Sequence, residues 1–327
     1  MNHQCIADEL QQQIDSGLIQ GGVVCTSFNE EPVALGMQTE NIPMSADSRF
    51  DIASVGKVFT ASCTALLYLQ GKIDIDAPFT EYLPEHKLGK NCNITIRDLA
   101  AHASGFDNSK TYCSADQKEF MQKICEWMPA NPRRTSFIYS CGNYALLGKI
   151  LNKVTSLDLN ALADKLLWQP LGMTHTTWNA PGAGPFEVLH HHPTRPCGEH
   201  NDETCFQAGI PLGNGSVFST AKDMYLYLKD IIERKHFPAA YYELIEKAEF
   251  THDGHCRSFG WDMSPGGCPA GLSEKTIHHT GWTGQSIFAD PQTGFCGAVL
   301  TSRLGNWLEA KKSRMRVVER ILQEHSH

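Results

Sequence analysis

The sequence has 327 residues, 41% of them hydrophobic and 20% charged, which is enough for one large domain or for two lobes that share a cleft. Its 36 acidic residues outnumber its 28 basic residues and no run of like charges stands out, which argues against nucleic acid or an anionic membrane as a partner. Because no segment resembles a secretory signal or a membrane span, we expect a cytoplasmic protein whose twelve cysteines are reduced thiols.

The first predicted elements are a helix, a hairpin and a second helix. Residues 21–37 are typical of two short strands around the turn-prone residues 29–32, and an apolar helix follows Ser54 and stops near Gly71. The first helix is indicated by apolar residues at helical spacing: Ile6, Leu10, Ile14 and Leu18.

Helical segments separated by long loops dominate the middle of the chain, and strand patterns return after it. The predicted helices are Tyr144–Val154, Leu157–Leu167, Ala221–Glu233 and a final one from Trp307. The predicted late strands are Ser258–Met263, Gln285–Ala289 and Gly297–Thr301. We therefore predict a discontinuous α/β lobe from residues 1–75 and 251–327, a helical lobe from residues 76–250, and an active site at their junction.

A hydroxyl and an amine one helical turn apart form the strongest candidate site. Ser54 and Lys57 lie at the predicted start of a helix, where a lysine can activate a serine if its charge is suppressed or shared. The positive end of a helix favours an alkoxide and a developing oxyanion, and the same field disfavours a protonated Lys57. By itself the spacing is common, and it more often marks a helix cap and a solvated face.

Two later segments complete a pattern. FIYSCGNYALLGKIL places Tyr139 two residues before Cys141 ahead of a helix, and HHTGWTGQSIFADPQTG places His279, Thr280 and Gly281 beside a strand. With their flanks, these segments resemble the serine β-lactamase and penicillin-binding protein superfamily, in its class C β-lactamase-like branch with related esterases and D-Ala-D-Ala peptidases. The resemblance covers almost the whole chain through six blocks: SADSRFDIASVGKVFTA, GKIDIDAPFTEYLP, ITIRDLAAHASGF, WQPLGMTHTTW, GSVFSTAKDM and HTGWTG.

The resemblance implies a β-lactamase/transpeptidase-like fold, α/β plus all-α, with an antiparallel sheet flanked by helices and an inserted helical lobe. It makes Ser54 the acyl-enzyme nucleophile, Lys57 its activating partner and Tyr139 the general base. It also places the backbone N–H groups of Ser54 and Trp282 in an oxyanion hole, and makes the segment from His279 to Gly281 a wall that pairs with substrate. No metal or organic cofactor is implied.

Two positions depart from the family pattern. Cys141 stands where the family commonly has an asparagine, and Asn143 is displaced by two residues, so an amide that binds substrate carbonyls is missing. His279 stands where β-lactamases and peptidases usually carry a lysine, and a histidine is largely neutral near pH 7. Arg303 could supply the missing cation for a substrate carboxylate, although a surface ion pair is the ordinary role of such a residue.

These departures favour a serine hydrolase of carboxylic esters over a β-lactamase or a D-Ala-D-Ala carboxypeptidase. The expected partner is a small-molecule ester, a β-lactam or a short D-amino-acid peptide. A non-catalytic binding protein of the same fold and a zinc enzyme remain as alternatives, the latter because a loop is rich in possible ligands. These are His190, His191, His192, Cys197, His200 and Cys205, with Asn201 at a position where many members have histidine.

Overall fold

A computed structural model describes residues 3–108, 117–190 and 195–325, and its centre is a six-stranded antiparallel sheet. The strand order is β3-β2-β1-β10-β9-β8, so both ends of the chain contribute to it. The strands are β1 (Ile19–Thr26), β2 (Asn29–Thr39), β3 (Ile42–Pro43), β8 (Ile277–Gly281), β9 (Gln285–Asp290) and β10 (Phe295–Arg303). Two short pairs lie outside it, formed by β4 (Phe50–Asp51), β5 (Phe218–Ser219), β6 (Phe250–His252) and β7 (His255–Arg257).

Helices cover the sheet and fill the middle of the chain. They are α1 (His3–Asp15), α2 (Lys57–Leu69), α3 (Ile96–Ala100), α4 (Gln117–Lys123), α5 (Cys141–Thr155), α6 (Leu159–Ala163), α7 (Gln169–Leu171), α8 (Glu203–Ala208), α9 (Ala221–Glu233), α10 (Ala239–Glu246) and α11 (Trp307–His325). Among the described helices, none has the length and apolarity needed to cross a bilayer.

The sheet is buried on both faces. One face carries a small apolar cluster with α1 and α11, in which Leu10, Val24 and Val318 are fully buried. The other face belongs to the large core that also contains α2, α5 and α9. The central strands β1 and β10 accordingly carry mostly apolar residues, because neither of their faces meets water.

The first hairpin corrects the predicted turn. Residues 29–32 begin β2, and the turn is the two-residue loop of Ser27 and Phe28, because Thr26 and Asn29 pair directly. Pro32 has no N–H, and it fits because the register is irregular between Val24 and Thr26, opposite it. Pro32 thus marks an irregularity in the pairing of β1 and β2 instead of the predicted turn.

Several other predicted elements can be scored. The helix from Ala221 to Glu233 has its predicted bounds, and α2 ends just before Gly71, whose φ is 69°. The predicted helix Leu157–Leu167 begins two residues later than predicted, at Leu159, and its second half is π-helical, from Asp164 to Trp168. The predicted strand Ser258–Met263 is wrong.

In that segment the residue at the bend is Gly260, with a φ of 96° and no room for a Cβ beside Ala61. The chain therefore folds against α2 instead of extending. The division into lobes at residues 75 and 251 stays a prediction.

Candidate active site

Ser54 lies on a tight turn between β4 and α2. Ala53, the residue before it, has a left-handed φ of 46°, and its N–H donates to Asp51 Oδ1 over 2.8 Å. Gly215 packs against this turn so closely that a Cβ there would lie 2.7 Å from the Ala53 carbonyl oxygen. Ser54 itself belongs to a 3₁₀ turn, Ala53–Gly56, and the α-helix begins only at Lys57.

Lys57 is fully buried directly beneath the serine. Its Nζ lies 3.0 Å from Ser54 Oγ and 3.6 Å from Cys141 Sγ, and it donates to the carbonyl of Asn214. Burial opposes the charge of this amine, but the negative charges that Cys141 and Tyr139 acquire on ionisation outweigh burial and raise the pKa of Lys57. The expectation that the helix field disfavours a protonated Lys57 stays a prediction, since the causes of this shift are burial and neighbouring side chains.

Tyr139 completes the immediate surroundings of the amine. The Lys57 Nζ lies 5.1 Å from the centre of its ring. The ring of His102 packs against the ring of Tyr139, with the two centroids 4.4 Å apart.

Cys141 is the first residue of α5 and lies behind Lys57. Its N–H donates to the Asn108 Oδ1 over 2.9 Å, while the Asn108 amide donates to the carbonyl of Tyr139. The displaced Asn143 is fully buried, and its amide is bound to Ser104 and His102. Its amide therefore does not replace the one that the thiol at position 141 lacks.

The segment from His279 to Gly281, the third motif of the family pattern, lies in β8 at the edge of the sheet next to the serine. The strand β8 ends at Gly281, where a Cβ would lie 2.5 Å from the Ile52 carbonyl oxygen, so this close approach requires glycine. Thr283 Oγ1 donates to the carbonyl of Asp51 over 2.8 Å. These two contacts bring the backbone around Trp282 toward the turn that carries Ser54.

His279 is buried and uncharged. Burial, and after it the charges of Arg257 and Lys57, lower the pKa of His279 to about 3. The imidazole therefore supplies no positive charge near pH 7, as expected from the substitution at this position.

Arg303 supports a neighbour instead of lining the cleft. Its Nε donates to the Trp282 carbonyl over 2.8 Å, a second nitrogen donates to the Gly305 carbonyl over 2.9 Å, and the guanidinium lies 4.6 Å from the Trp282 ring centre. Its predicted contact with a substrate carboxylate stays a prediction, and the structure places a different arginine in the cleft.

A cleft of about 420 Å³ opens above these groups. Of the predicted residues, Ser54, Tyr139, His279, Thr280 and Trp282 line it. The sequence interpretation missed the rest of the lining, which includes Arg257, Asp262, Trp307 and Lys311. No motif marks these side chains, because burial and chain folding bring them together from distant segments.

The loop rich in histidine and cysteine supports the catalytic turn. The N–H of Asn201 donates to Asp51 Oδ2 over 2.7 Å, and the N–H of Asp51 donates to His190 Nε2 over 3.0 Å. Burial raises the pKa of Asp51 to about 6, against the opposing effect of the two N–H donors. Asp51 thus joins the turn of Ser54 to this loop.

The two cysteines among the possible metal ligands of the loop have other partners. Cys197 Sγ contacts the Glu187 carbonyl at 2.9 Å and Cys205 Sγ contacts Asn214 Oδ1 at 3.2 Å. His191 and His192 lie outside the described residues. Within residues 3–108, 117–190 and 195–325, no group of three histidine, cysteine or acidic side chains is arranged to hold a metal ion.

Comparisons with known proteins agree with this geometry. A family model described as Beta-lactamase matches residues 6–319. A Beta-lactamase of Providencia stuartii is 27% identical over 185 residues, 55% of this chain and 48% of that protein, so the chain matches about half the length of this relative. A Putative D-alanyl-D-alanine carboxypeptidase of Salmonella typhimurium is 24% identical over 307 residues, covering 80% of this chain and 71% of that one.

Solved structures show the same fold. EstCE1, a hydrolase with promiscuous acyltransferase activity, superposes with a TM-score of 0.78 at 20% identity over 97% of this chain and 99% of that one. A class C beta lactamase from Rhodobacter sphaeroides superposes with a TM-score of 0.80 at 18% identity over 99% of this chain and 100% of the other. The fold is therefore that of β-lactamases and transpeptidases, as the sequence predicted.

Proposed function

Because this chain belongs to the beta-lactamase family of hydrolases, we propose that it is a metal-independent serine hydrolase that cleaves carboxylic esters through an acyl-serine. The observation that carries this proposal is the Ser54 hydroxyl, which lies 3.0 Å from the buried Lys57 amine at the wall of the cleft. A hydroxyl in this position has a proton acceptor network beneath it and space for a substrate above it.

In the proposed first step, Ser54 Oγ attacks the ester carbonyl carbon and its proton passes to Tyr139. The raised pKa of Lys57 supports this division of roles, because an ammonium beside Tyr139 stabilises the phenolate that receives the proton. When the tetrahedral intermediate collapses, the carbon–oxygen bond to the alcohol breaks and Tyr139 returns the proton to the alcohol oxygen. Water then attacks the acyl-serine by the same route and releases the acid.

The oxyanion would be held by the backbone N–H groups of Ser54 and Trp282. The contact of Gly281 with the Ile52 carbonyl supports this assignment, because it fixes the end of β8 against the turn of the nucleophile. Donors fixed before the reaction stabilise the developing charge without reorganisation. Such a pair is also insensitive to the choice between ester and amide.

The preference for esters follows from two groups that surround the serine. Cys141 offers a thiol, a weak donor, where an amide would bind the carbonyl of a peptide-like substrate. His279 is neutral and supplies no cation at the position where a lysine would bind a carboxylate. Hydrolysis of a β-lactam or a D-Ala-D-Ala peptide is the second candidate, favoured by the relatives that bear those names.

A panel of substrates tests both. Wild-type protein and Ser54→Ala would be assayed with a short-chain aryl ester, a chromogenic cephalosporin and a D-Ala-D-Ala peptide, with and without a chelator. We expect the ester to have the highest kcat/KM and its turnover to need Ser54 but no metal. A cephalosporin that is turned over faster than the ester would reverse the substrate preference, and activity lost to the chelator would favour the zinc alternative.

A further inference from the structure

Two cations line the cleft without a role in the proposed acyl transfer. Arg257 is the last residue of β7, and Lys311 lies in the first turns of α11. Both line the cleft together with Tyr139 and Trp282. The protein as a whole has a formal charge of −8, so cations gathered in a cleft are not explained by composition. Their surroundings indicate what they could bind.

Arg257 is held in place but retains an unused donor. The residue is only 8% exposed, one nitrogen lies 3.0 Å from Asp262 Oδ2, and the guanidinium lies 5.8 Å from the centre of the Tyr139 ring. Its Nε is buried and has no hydrogen-bond partner in the described part of the chain. A buried donor of a charged group without a partner is unfavourable, and it leaves the guanidinium compensated only by Asp262.

Lys311 is half-buried and, unlike Arg257, has no direct partner among the described residues. No hydrogen bond and no ion pair within 4 Å engages its amine there, and the amine lies 6.0 Å from the centre of the Trp307 ring. Burial lowers the pKa of Lys311, whereas the charge of Asp262 raises it. A second anion near the amine would therefore stabilise its charged form.

Two carboxylates line the cleft beside the two cations, but only one of them lies close to both. Asp262 is ionised, since His278 and Arg257 hold its pKa at about 2 against the effect of burial. Asp253 lies at the mouth, 85% exposed, next to His252. Arg257 and Lys311 therefore share one carboxylate inside the cleft, that of Asp262.

The wall beside the cations is aromatic. Trp282 is more than half exposed, and its ring is stacked on that of Trp307 with centroids 6.1 Å apart. Such a surface suits an apolar framework, and the neighbouring cations suit a charge attached to it.

We propose that Arg257 and Lys311 form a carboxylate subsite, so that the preferred substrates are esters that also carry a carboxylate on their acyl or alcohol part. This subsite deepens the proposed function and rests on it for the identity of the scissile bond. The cation that the third motif lacks at His279 is thus supplied from β7 and α11, by residues outside the three motifs.

The test compares matched pairs of esters that differ only in charge. One pair is the para-nitrophenyl half-ester of adipic acid and its carboxamide, with the charge on the acyl part. The other is meta-carboxyphenyl butanoate and meta-carbamoylphenyl butanoate, with the charge on the alcohol part. We expect kcat/KM to favour the carboxylate about 10- to 100-fold in at least one pair at low salt, and the pair that shows it identifies the part that carries the charge.

The same ratio is then measured in variants. Arg257→Gln and Lys311→Met should each reduce the preference to about threefold or less, whereas Lys312→Met and Arg316→Gln, which change exposed neighbours on α11, should leave it intact. Because each ratio is internal to one preparation, a lower absolute rate does not affect it, and Lys311→Met decides if Arg257→Gln does not fold. A wild-type ratio near one in both pairs, or a preference that survives both variants, would overturn the subsite.

Binding separates this inference from the proposed function. If neither pair shows turnover that depends on Ser54, the ester proposal fails, and the subsite is judged by calorimetry on Ser54→Ala. Tighter binding of meta-carboxyphenyl butanoate than of its carboxamide supports the subsite, and equal binding contradicts it.

Discussion

The Nζ of Lys57 lies 3.0 Å from the Oγ of Ser54, and contacts with neighbouring residues hold both residues in place. The lysine is fully buried and donates to the Asn214 carbonyl, and the serine follows Ala53, whose φ of 46° is held by a hydrogen bond to Asp51. A nucleophile and its partner that need no rearrangement are an advantage in catalysis. The predictions below test this arrangement.

Removal of the lysine amine should nearly abolish activity. Lys57→Met removes the hydrogen bond to Ser54 and the charge beside Tyr139, and we expect kcat/KM for an aryl ester to fall by about a thousandfold or more. Circular dichroism and thermal unfolding would show that the variant is folded. Lys72→Met, at an exposed position just after α2, is the control and should keep its rate. Retention of a tenth of the activity by Lys57→Met would contradict the proposed role.

Replacement of the thiol should shift specificity. Cys141→Asn introduces the side-chain amide that the family commonly has beside Lys57, so turnover of a cephalosporin relative to an aryl ester should rise about tenfold. Cys141→Ala, which adds no donor, is the matched control and should leave this ratio near that of the wild type. An equal shift in both variants would mean that removal of sulfur, and not the amide, causes the effect.

Asp51 should act as a positioning residue for the nucleophile. In Asp51→Asn one of the two accepted N–H groups, from Ala53 or Asn201, would face an amide N–H, and we expect kcat to fall about tenfold with little change in KM. A merely structural role would lower stability and leave kcat per folded molecule unchanged. Titration of the reactive serine with a fluorophosphonate gives the concentration of folded protein by which the rate is divided to obtain kcat.

The raised pKa of Asp51 also predicts a pH dependence of stability. Its carboxyl titrates near pH 6 in the folded protein and at 3.8 in the unfolded chain, so the folded state holds an extra proton between these values. The free energy of unfolding should therefore lose about 3 kcal/mol from this group as the pH rises through that window. Urea denaturation of wild type and Asp51→Asn at several pH values isolates the contribution. A difference that does not change with pH would contradict the buried carboxyl.

Buried histidines should have the opposite effect. Burial lowers the pKa of His86 to about 4 and that of His279 to about 3, and it holds His102 well below its usual value. Below about pH 6.5 the unfolded chain binds protons at these histidines that the folded protein does not bind, so the free energy of unfolding decreases as the pH decreases. At about pH 6 each histidine should cost about 1 kcal/mol relative to about pH 7.5. Urea denaturation of wild type and His86→Asn measures this, and an equal pH slope in both would contradict it.

The sequence could predict the parts of the site that lie in short motifs. Ser54 and Lys57 are three residues apart on one turn, and Tyr139 and β8 belong to segments with recognisable flanks. The helix α9 has its predicted bounds, and in the structure Thr220 caps it. Local signals of this kind do not depend on the rest of the fold.

Features that depend on tertiary packing could not be predicted in this way. Arg257 and Lys311 are far apart in sequence and meet only because β7 and α11 line the same cleft. The raised pKa of Lys57 follows from Cys141 and Tyr139, which reach it from another segment. The bend at Gly260 likewise results from contact with Ala61, which no periodicity in residues 258–263 reveals.

Peptide mapping by mass spectrometry of protein quenched during turnover of an aryl ester tests the central claim most directly. The proposed mechanism predicts an acyl group on Ser54 in the wild type, its accumulation in a pre-steady-state burst, and the absence of both in Ser54→Ala. An acyl group on Cys141 in place of Ser54, or ester turnover that survives in Ser54→Ala, would contradict the mechanism.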